Sequence, residues 1–417
     1  MKKLSILMVL VIIFMVSCKN DEDDTDSIQH QTTFRMGVLL SLTGTGASTG
    51  QSSEVAITLA QQDINLWLSL IGNNARIQLV TADTKTDTAE ALKQLKSMYD
   101  QGIRFVIGPY SSAEVTAIKP FADAHSMLVV SPSSVAVSLA IPGDNIYRFV
   151  TSDVIQGQAM AKMLEEDSIR AIVPVIRDDV WGNDLLNATS SEFSSAGGVV
   201  QNPVKYDPNA TDFNSILAQL DANVASLLTN YTGNQIGVYL CSFGEGTNIL
   251  SLAGNYPNLR NVIWYGSSAF AQNSSVISDT VAAGFASSHN LPCPIFGLEL
   301  SAISKWAPLI ERIEASIHRI PEVYALTAYD AVWVGLKTYL NTGPDPDIET
   351  LKFAFTDEAN NYFGVTGSTS LDANGDRAFG NYDFWAVGED QKVFSWHTVA
   401  RYNSATGILT RLMRNDR

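Results

Sequence analysis

Two serine-rich segments carry side chains suited to holding a small anion. In IGPYSSAEVTAIKPFADA, Ser111 and Ser112 stand where a helix is predicted to begin, directly after an apolar strand. Hydroxyls and free backbone N–H groups converge at such a helix start, where the helix dipole favours negative charge. The next predicted strand ends in SPSSV, which brings Ser133 and Ser134 to a second carboxyl end. Ordinary helix capping needs one serine, so the two clusters together predict a small-anion site.

A glycine-rich loop offers an alternative site. Gly44, Gly46 and Gly50 follow the first predicted strand, and Asp83 ends the second, where an acid could bind a ribose. The glycine spacing is one residue longer than the GxGxxG pattern that binds dinucleotides. We therefore interpret the segment as a loop at the ligand-binding edge of a sheet, and we predict no cofactor.

Residue types that could support catalysis or metal binding form no recognisable pattern. The sequence contains no HExxH motif and no P-loop. The five histidines are scattered, at His30, His125, His289, His318 and His397. The segment LDANGDR lacks the closing Glu of a calcium loop and predicts a hairpin turn. The sequence therefore predicts no catalytic residue and no metal site, and the protein is not expected to be an enzyme.

Short β-rich runs that alternate with amphipathic stretches must position these residues. FRMGVLLS, RIQLVTAD, RFVIGP and MLVVSP are predicted strands, and a helix is predicted between the second and third, with Asp87 as N-cap and Gly102 as its end. The pattern restarts near Ser152 with AIVPVI, GVVQNPV, IGVYLC and NVIWYG, and helices are expected to start near Asp153, Trp181, Asp212 and Glu245. Apolar strands joined by helices predict an α/β fold with parallel sheets.

Two details qualify this pattern. Pro174 lies inside AIVPVI, although proline is expected only at strand edges or bulges. After residue 288 the sequence predicts two helices, around 303–317 and 324–342, and then a β-rich tail.

Cys241 and Cys293 are expected to be buried free thiols rather than a disulfide, because we expect them to lie in different lobes.

Composition excludes several classes of protein. Of the 417 residues, 46% are hydrophobic and 17% charged, which argues against a disordered chain and against a coiled coil. The net charge of −16 argues against a nucleic-acid partner, which would require a basic surface.

The N-terminal segment predicts export and anchoring. Lys2 and Lys3 precede an apolar run of signal-peptide type, too short to span a bilayer. The run ends in MVSC, which resembles the lipobox of bacterial lipoproteins and implies a lipid on Cys18; an ordinary leader with an incidental cysteine is the alternative. The following acidic segment predicts a solvated tether. Lys19 after the cysteine is similar to signals for release to the outer membrane, and the acidic run resembles surface-export signals.

Six segments in order carry a further resemblance. They are GVLLSLTGTGASTGQSSEVAITLAQQDIN, VIGPYSSAEVTAIKPFADAHSMLVVSPSS, IYRFVTSDVIQGQAMA, RDDVWGNDL, YDPNATDFNSIL and the TAYDAVWVGL helix. From Phe34 to the late 390s the chain is similar to the type I periplasmic binding proteins, in the leucine/isoleucine/valine-binding branch of ABC-transporter solute receptors.

This resemblance implies two Rossmann-like lobes with parallel sheets, joined by three hinge crossovers near 150–152, 287–290 and 363–367. The leader and the acidic run predict a signal peptide at 1–17 and a tether at 18–33, and the resemblance implies a first lobe of 34–150 plus 288–363 and a second lobe of 151–287 plus 364–417. The ligand is then expected in the cleft between the lobes, and the lobes are expected to close by hinge bending.

The resemblance also implies which residues hold a ligand carboxylate. The serine hydroxyl that binds it falls on Ser112, and the backbone groups after the Ser-Pro turn fall on Ser133, Ser134 and Val135. Position 135 is a valine, so the threonine hydroxyl usual in this branch is missing.

On the second lobe, the covering aromatic residues fall on Trp181 and Phe243, for which ordinary core packing is the alternative. The acid that pairs with the ligand ammonium falls on Ser268, which puts amino-acid specificity in doubt. Glu245 is close enough in sequence to replace that acid.

We therefore expect a lipid-anchored solute-binding protein of an ABC importer that binds a small carboxylate or amino-acid-like ligand. Its expected partners are a small molecule, an ABC permease complex and, through the lipid anchor alone, a membrane. It is expected to be a monomer in the cell envelope, at the periplasmic side of the outer membrane or at the cell surface. An extracytoplasmic ligand sensor on the same fold and an exported α/β enzyme are the alternatives.

Overall fold

The computed structural model describes residues 31–412. The predicted signal peptide, Cys18 and most of the predicted tether lie outside the described residues. Within 31–412, no helix is long and apolar enough to cross a membrane.

The first sheet is parallel, as predicted. Its strands are β1 (Thr33–Leu40), β2 (Arg76–Asp83), β3 (Phe105–Ile107), β4 (Leu128–Ser131) and β5 (Ile146–Arg148). They lie in the order β2-β1-β3-β4-β5, and three helices connect the first four, α1 (Ala47–Leu70), α2 (Thr88–Asp100) and α3 (Ser112–Ala124). Met36 and Val38 face one apolar core and Leu39 faces the other, so the sheet is covered on both sides.

The predicted cap of α2 is confirmed. Asp87 has an extended backbone, and its carboxylate accepts a hydrogen bond of 2.7 Å from the Glu90 amide. This bond satisfies one of the free N–H groups of the first turn, which is why the helix begins there.

The second sheet is also parallel. Its strands are β6 (Ala171–Arg177), β7 (Val199–Val200), β8 (Val204–Tyr206), β9 (Ile236–Cys241) and β10 (Ile263–Tyr265), in the order β10-β9-β6-β7 with β8 beside β6. The helices are α4 (Asp153–Glu166), α5 (Val180–Ser195), α6 (Asn214–Leu227), α7 (Gly246–Ala253), α8 (Ser274–Ser278) and α9 (Thr280–Ser288).

The predicted strand GVVQNPV is divided in two, and this division explains Pro174. On the side away from β9, β7 pairs with residues 171–172 of β6 and β8 pairs with residues 175–177. Pro174 falls in the gap between these pairings, where proline costs no ladder hydrogen bond.

The remaining elements form an antiparallel sheet and a helical layer. The strands are β11 (Cys293–Gly297), β12 (Phe363–Gly364), β13 (Gly367–Ser368), β14 (Asn381–Asp390), β15 (Val393–Asn403) and β16 (Ile408–Arg411). The helices are α10 (Ile303–Ile317), α11 (Val323–Thr342) and α12 (Ile348–Asn361). The third sheet has the order β11-β14-β15-β16, and β12 and β13 form a short separate pair.

The sequence analysis missed α12. It begins at the Asp347 cap, which accepts from the Thr350 amide, and it buries Leu351, Phe355 and Ala359 at four-residue spacing. Phe353 lies on the same helix and is 78% exposed. An apolar residue on the solvent face obscures the periodicity by which such a helix is recognised.

These elements form two lobes. The first sheet packs with α1–α3 and α10–α12, and we call this unit lobe 1. The second and third sheets share one core with the intervening helices, and we call this unit lobe 2. Strand β11 pairs with β14, so we propose that residues 293–297 belong to lobe 2 rather than to lobe 1 as expected from the sequence. The other predicted boundaries stay predictions.

The two cysteines are free thiols, as expected, but the reason given for it was wrong. Cys241 and Cys293 are buried in the same core, that of lobe 2, and are not bonded to each other. Burial raises the pKa of both thiols, which keeps them protonated and unreactive.

The segment LDANGDR forms a tight turn, as predicted. Leu371 bridges Arg377 in antiparallel fashion, and Gly375 has a φ of 78°. The Asp376 carboxylate in this turn pairs with the guanidinium of Arg148 at the end of β5. The turn therefore ties the segment before β14 to lobe 1.

Candidate functional site

The adjacent serines at the start of α3 have different roles. The Ser111 hydroxyl takes part in a capping box with Glu114: it accepts from the Glu114 amide, and the Glu114 carboxylate accepts from the Ser111 amide at 2.9 Å. Ser112 is the first residue inside the helix, so its hydroxyl is not needed for the cap. Capping therefore uses one serine and leaves the second for the cleft.

The Ser112 hydroxyl meets the second serine cluster. It shares a hydrogen bond of 2.9 Å with the Ser134 hydroxyl and accepts one of 3.2 Å from the Ala136 amide. Ser133 differs, because its hydroxyl donates to the Tyr110 carbonyl at 2.9 Å. Two hydroxyls and a backbone amide thus gather at the carboxyl ends of β3 and β4, where open α/β sheets bind ligands.

Aromatic side chains from lobe 2 cover this serine cluster. The ring centroids of Tyr110 and Phe243 are 5.3 Å apart, and those of Phe243 and Trp181 are 4.9 Å apart. Trp181 is held at the start of α5, where the Asp179 carboxylate accepts from the Gly182 amide. Trp181 and Phe243 of lobe 2, together with Tyr110 of lobe 1, therefore form an apolar wall beside the serines.

A small cavity of about 10 Å³ lies where the serines and the rings meet. It is lined by Tyr110, Ser111, Ser112, Ser133, Val135, Trp181, Phe243, Ser268, Ala269 and Tyr324. Six of the seven predicted ligand-binding residues are in this set, and the seventh, Ser134, bonds to Ser112. We call this cavity the serine site.

The structure also adds a residue that the sequence analysis assigned only to a helix start. Asp153 is fully buried and lies behind the serine site, since its amide donates to the Val135 carbonyl at 2.8 Å. Its Oδ1 accepts from Gln156, whose Oε1 accepts from the Ser268 amide. Within the described residues, Oδ2 has no hydrogen-bond partner.

Burial raises the pKa of Asp153 well above its usual value, against the smaller opposing effects of Gln156 and Arg148. Burial therefore disfavours the ionised form of this carboxyl group. The position of Asp153 at the start of α4, directly after the first crossover, was the available sequence signal. Such a start is more commonly a simple cap, so the sequence could not distinguish the two roles.

Glu245 does not occupy the position of the missing acid beside Ser268. Its Oε1 accepts from the Arg177 guanidinium at 2.6 Å and from the Tyr206 hydroxyl at 3.0 Å. Arg177 also donates to Asp179 at 2.6 Å and lies 4.0 Å from the Phe243 ring centroid. Burial disfavours the Arg177 cation, but Glu245 and Asp179 outweigh it and raise the pKa of the guanidinium.

The glycine-rich loop serves a structural purpose. Gly44 has a φ of 83°, and a Cβ there would lie 2.1 Å from the Lys85 carbonyl oxygen. The Asp83 carboxylate accepts from the backbone amides of Leu42, Thr43 and Lys85 and from the Thr43 hydroxyl. These bonds hold the pKa of Asp83 below its usual value, although burial opposes them. Asp83 is therefore occupied in shaping the loop.

Comparison with known proteins identifies the family. A family model described as periplasmic binding protein matches residues 33–392. The chain belongs to the periplasmic binding protein family. The resemblance to this family seen in the sequence is thus confirmed, as are the α/β fold and the two lobes.

Individual relatives agree with this assignment. An uncharacterised protein of Methanocaldococcus jannaschii is 29% identical over 95% of this chain and 96% of its own length. The leucine-, isoleucine-, valine-, threonine- and alanine-binding protein of Pseudomonas aeruginosa is 23% identical over 88% of this chain and 91% of its own. A solved ABC-transporter solute-binding protein from R. palustris, in complex with benzoate, shares the fold with a TM-score of 0.70 and 17% identity, over 88% and 96% of the two chains.

The two lobes of this periplasmic binding protein are in contact. The Gly244 amide of lobe 2 donates to the Thr45 carbonyl of lobe 1 at 3.1 Å. The hydroxyls of Ser48 and Ser274 are 2.9 Å apart across the same boundary. The arrangement can therefore enclose a molecule between two surfaces.

Among the described residues, no three His, Cys, Asp or Glu side chains gather in a way that could hold a metal ion.

Proposed function

We propose that this periplasmic binding protein is a lipid-anchored receptor that encloses a small carboxylate and delivers it to an ABC importer. The observation that carries the proposal is the serine site. Ser112, whose hydroxyl bonds to the Ser134 hydroxyl and the Ala136 amide, lines this site together with Trp181 and Phe243 of the other lobe. Hydrogen bonds to an ionised acceptor are worth about 1.5 to 3 kcal/mol each, so this cluster is suited to a carboxylate.

The relatives support the same class of ligand. One is named for binding amino acids, and one was solved with benzoate, a carboxylate without an amino group. Both kinds of ligand share the carboxylate and differ in the ammonium.

The residues around the ammonium position favour the second kind. Ser268 offers a dipole where an acid would be needed, and burial raises the pKa of Asp153 behind it. Ionising Asp153 for an ammonium would cost free energy that a ligand without an amino group does not require. We therefore propose a carboxylate that lacks an α-amino group, with an apolar or aromatic body against Trp181 and Phe243.

Small-angle scattering of the purified protein tests the proposal. The serine site is too small for a ligand while the lobes touch, so they must open to admit one and close again around it. Saturating 4-methylpentanoate or benzoate should reduce the radius of gyration. Native mass spectrometry of the purified protein should, in parallel, show a co-purified acid. Tight binding of either acid with an unchanged scattering curve would show that hinge closure is the wrong mechanism.

A further inference from the structure

A polar chamber of about 900 Å³ lies between the lobes beside the serine site. Ser111 lines both spaces, so the chamber begins where the serine site ends. The serine site, at about 10 Å³, has room for roughly one water molecule, whereas small-molecule pockets usually enclose about 300 to 1,000 Å³. The chamber therefore holds the space into which a bound molecule could extend.

Both lobes contribute to the chamber wall. Thr45, Gln51 and Lys85 line it from lobe 1, and Asn209 and Asn248 line it from lobe 2. A molecule in the chamber would contact both surfaces, so its binding free energy would favour the closed arrangement of the lobes.

The wall next to Phe243 carries an excess negative charge. Arg177, Asp179 and Glu245 all line the chamber, and one guanidinium there faces two carboxylates. Only 7% of the surface of Glu245 is exposed. Its Oε1 accepts all the hydrogen bonds described above, and Oε2 has no partner within residues 31–412.

An unpartnered carboxylate oxygen in a buried position is costly unless a donor or cation reaches it. The nearby guanidinium is already shared between the two carboxylates. Glu245 lines the chamber, and a rotation of its side chain would present Oε2, which is itself buried, as an unused acceptor to a positively charged group there.

We propose that the chamber holds the far end of an elongated ligand, a carboxylate whose distal end carries an ammonium group paired with Glu245. This inference rests on the proposed function, because it places the carboxylate of the same molecule at Ser112. The apolar chain between the two ends passes the rings of Tyr110 and Phe243. The ammonium group is therefore at the end of the ligand far from the carboxylate, next to Glu245. Binding in this arrangement requires no α-amino group beside Ser268.

Calorimetric titration with two matched series of acids tests the inference. One series is 4-aminobutanoate, 6-aminohexanoate and 8-aminooctanoate, and the other is butanoate, hexanoate and octanoate. At one chain length or more, the amino acid should bind about tenfold or more tightly than its partner, as a charge-assisted hydrogen bond predicts. An ammonium group that adds no affinity at any length would overturn the inference, and this comparison needs no variant.

Two variants show which part fails if a result is negative. E245Q keeps the size of the side chain, and it should reduce the ratio between the two series at the favoured length; an unchanged ratio in folded E245Q would refute the assignment to Glu245. S112A should weaken both series equally. If the alkanoates bind and S112A weakens them, but the ammonium adds nothing, the inference alone is wrong. If neither series binds while benzoate or 4-methylpentanoate does, the inference alone is wrong; if none of these acids binds, the proposed function and the inference are both wrong.

Discussion

The different orientations of two serine hydroxyls give the sharpest prediction. Ser112 and Ser133 are both buried and both line the serine site. The Ser112 hydroxyl bonds to Ser134 and Ala136 and faces the cleft, whereas the Ser133 hydroxyl is used by the Tyr110 carbonyl. Replacing each serine by alanine removes one oxygen from the same site, so the two variants are a matched pair.

The expected magnitudes follow from the partners of each hydroxyl. S112A removes a hydrogen bond to the ligand carboxylate worth about 1.5 to 3 kcal/mol, which weakens binding about 10- to 150-fold. S133A removes a neutral hydrogen bond within lobe 1. It should lower the free energy of unfolding by about 0.5 to 1.5 kcal/mol, while the Ser133 amide stays available to the ligand. Its affinity should therefore change by less than about threefold, which corresponds to about 0.6 kcal/mol.

Isothermal titration calorimetry of the wild type and both variants with 4-methylpentanoate and benzoate measures these effects. Urea unfolding of the three proteins without ligand provides the stability control. Equal losses of affinity in S112A and S133A would contradict the assigned orientations. An unchanged affinity in S112A, with the protein folded, would contradict the placement of the carboxylate itself.

Four further predictions concern the choice of ligand, the effect of a ligand on stability, a buried ion pair and the lipid anchor. Leucine, isoleucine and valine should each bind more weakly than their deaminated analogues; a preference for the amino forms that disappears in D153N would instead assign the ammonium to Asp153. A ligand at a hundredfold excess over its dissociation constant should add about 2.7 kcal/mol to the free energy of unfolding in denaturant titrations. R148M should cost about 3 to 5 kcal/mol in urea unfolding because it leaves Asp376 buried and unpaired, and R148M/D376L should recover part of that loss. C18A should move the protein out of the membrane fraction or leave it unprocessed, and a soluble, unlipidated wild-type protein would exclude the anchor.

Much of the fold could be predicted because local signals and global packing agree. Apolar runs of strand length alternate with capped helices, and this order predicts parallel sheets covered on both faces. The bounds of β2, β9 and α10 match the predicted segments at both ends. The sequence analysis did not predict α12, where exposed Phe353 hides the helical periodicity, or the strand β11, whose partner β14 lies more than 80 residues later.

The serine pair at the start of α3 illustrates what the sequence determined by itself. A capping box requires one serine and a glutamate three residues later, and both conditions are visible in the sequence. The second serine was therefore available for another purpose, and its place after a strand put it at the binding edge of the sheet. Local rules suffice here because all the participants lie within four residues of one another.

The tertiary structure alone decided which charged groups meet. Glu245 pairs with Arg177, 68 residues away, and Asp153 reaches the back of the serine site through Val135 and Gln156. Sequence spacing does not determine such distances: Arg177 and Glu245 meet because β6 and β9 are neighbours in the second sheet, although these strands lie far apart in the chain. Burial disfavours the charged form of a carboxylate, whereas a nearby cation favours it. The partners of a buried carboxylate therefore determine its charge. The sequence could therefore indicate a candidate carboxylate site, whereas the presence of Asp153 behind that site and of Glu245 in the neighbouring chamber followed from the tertiary packing.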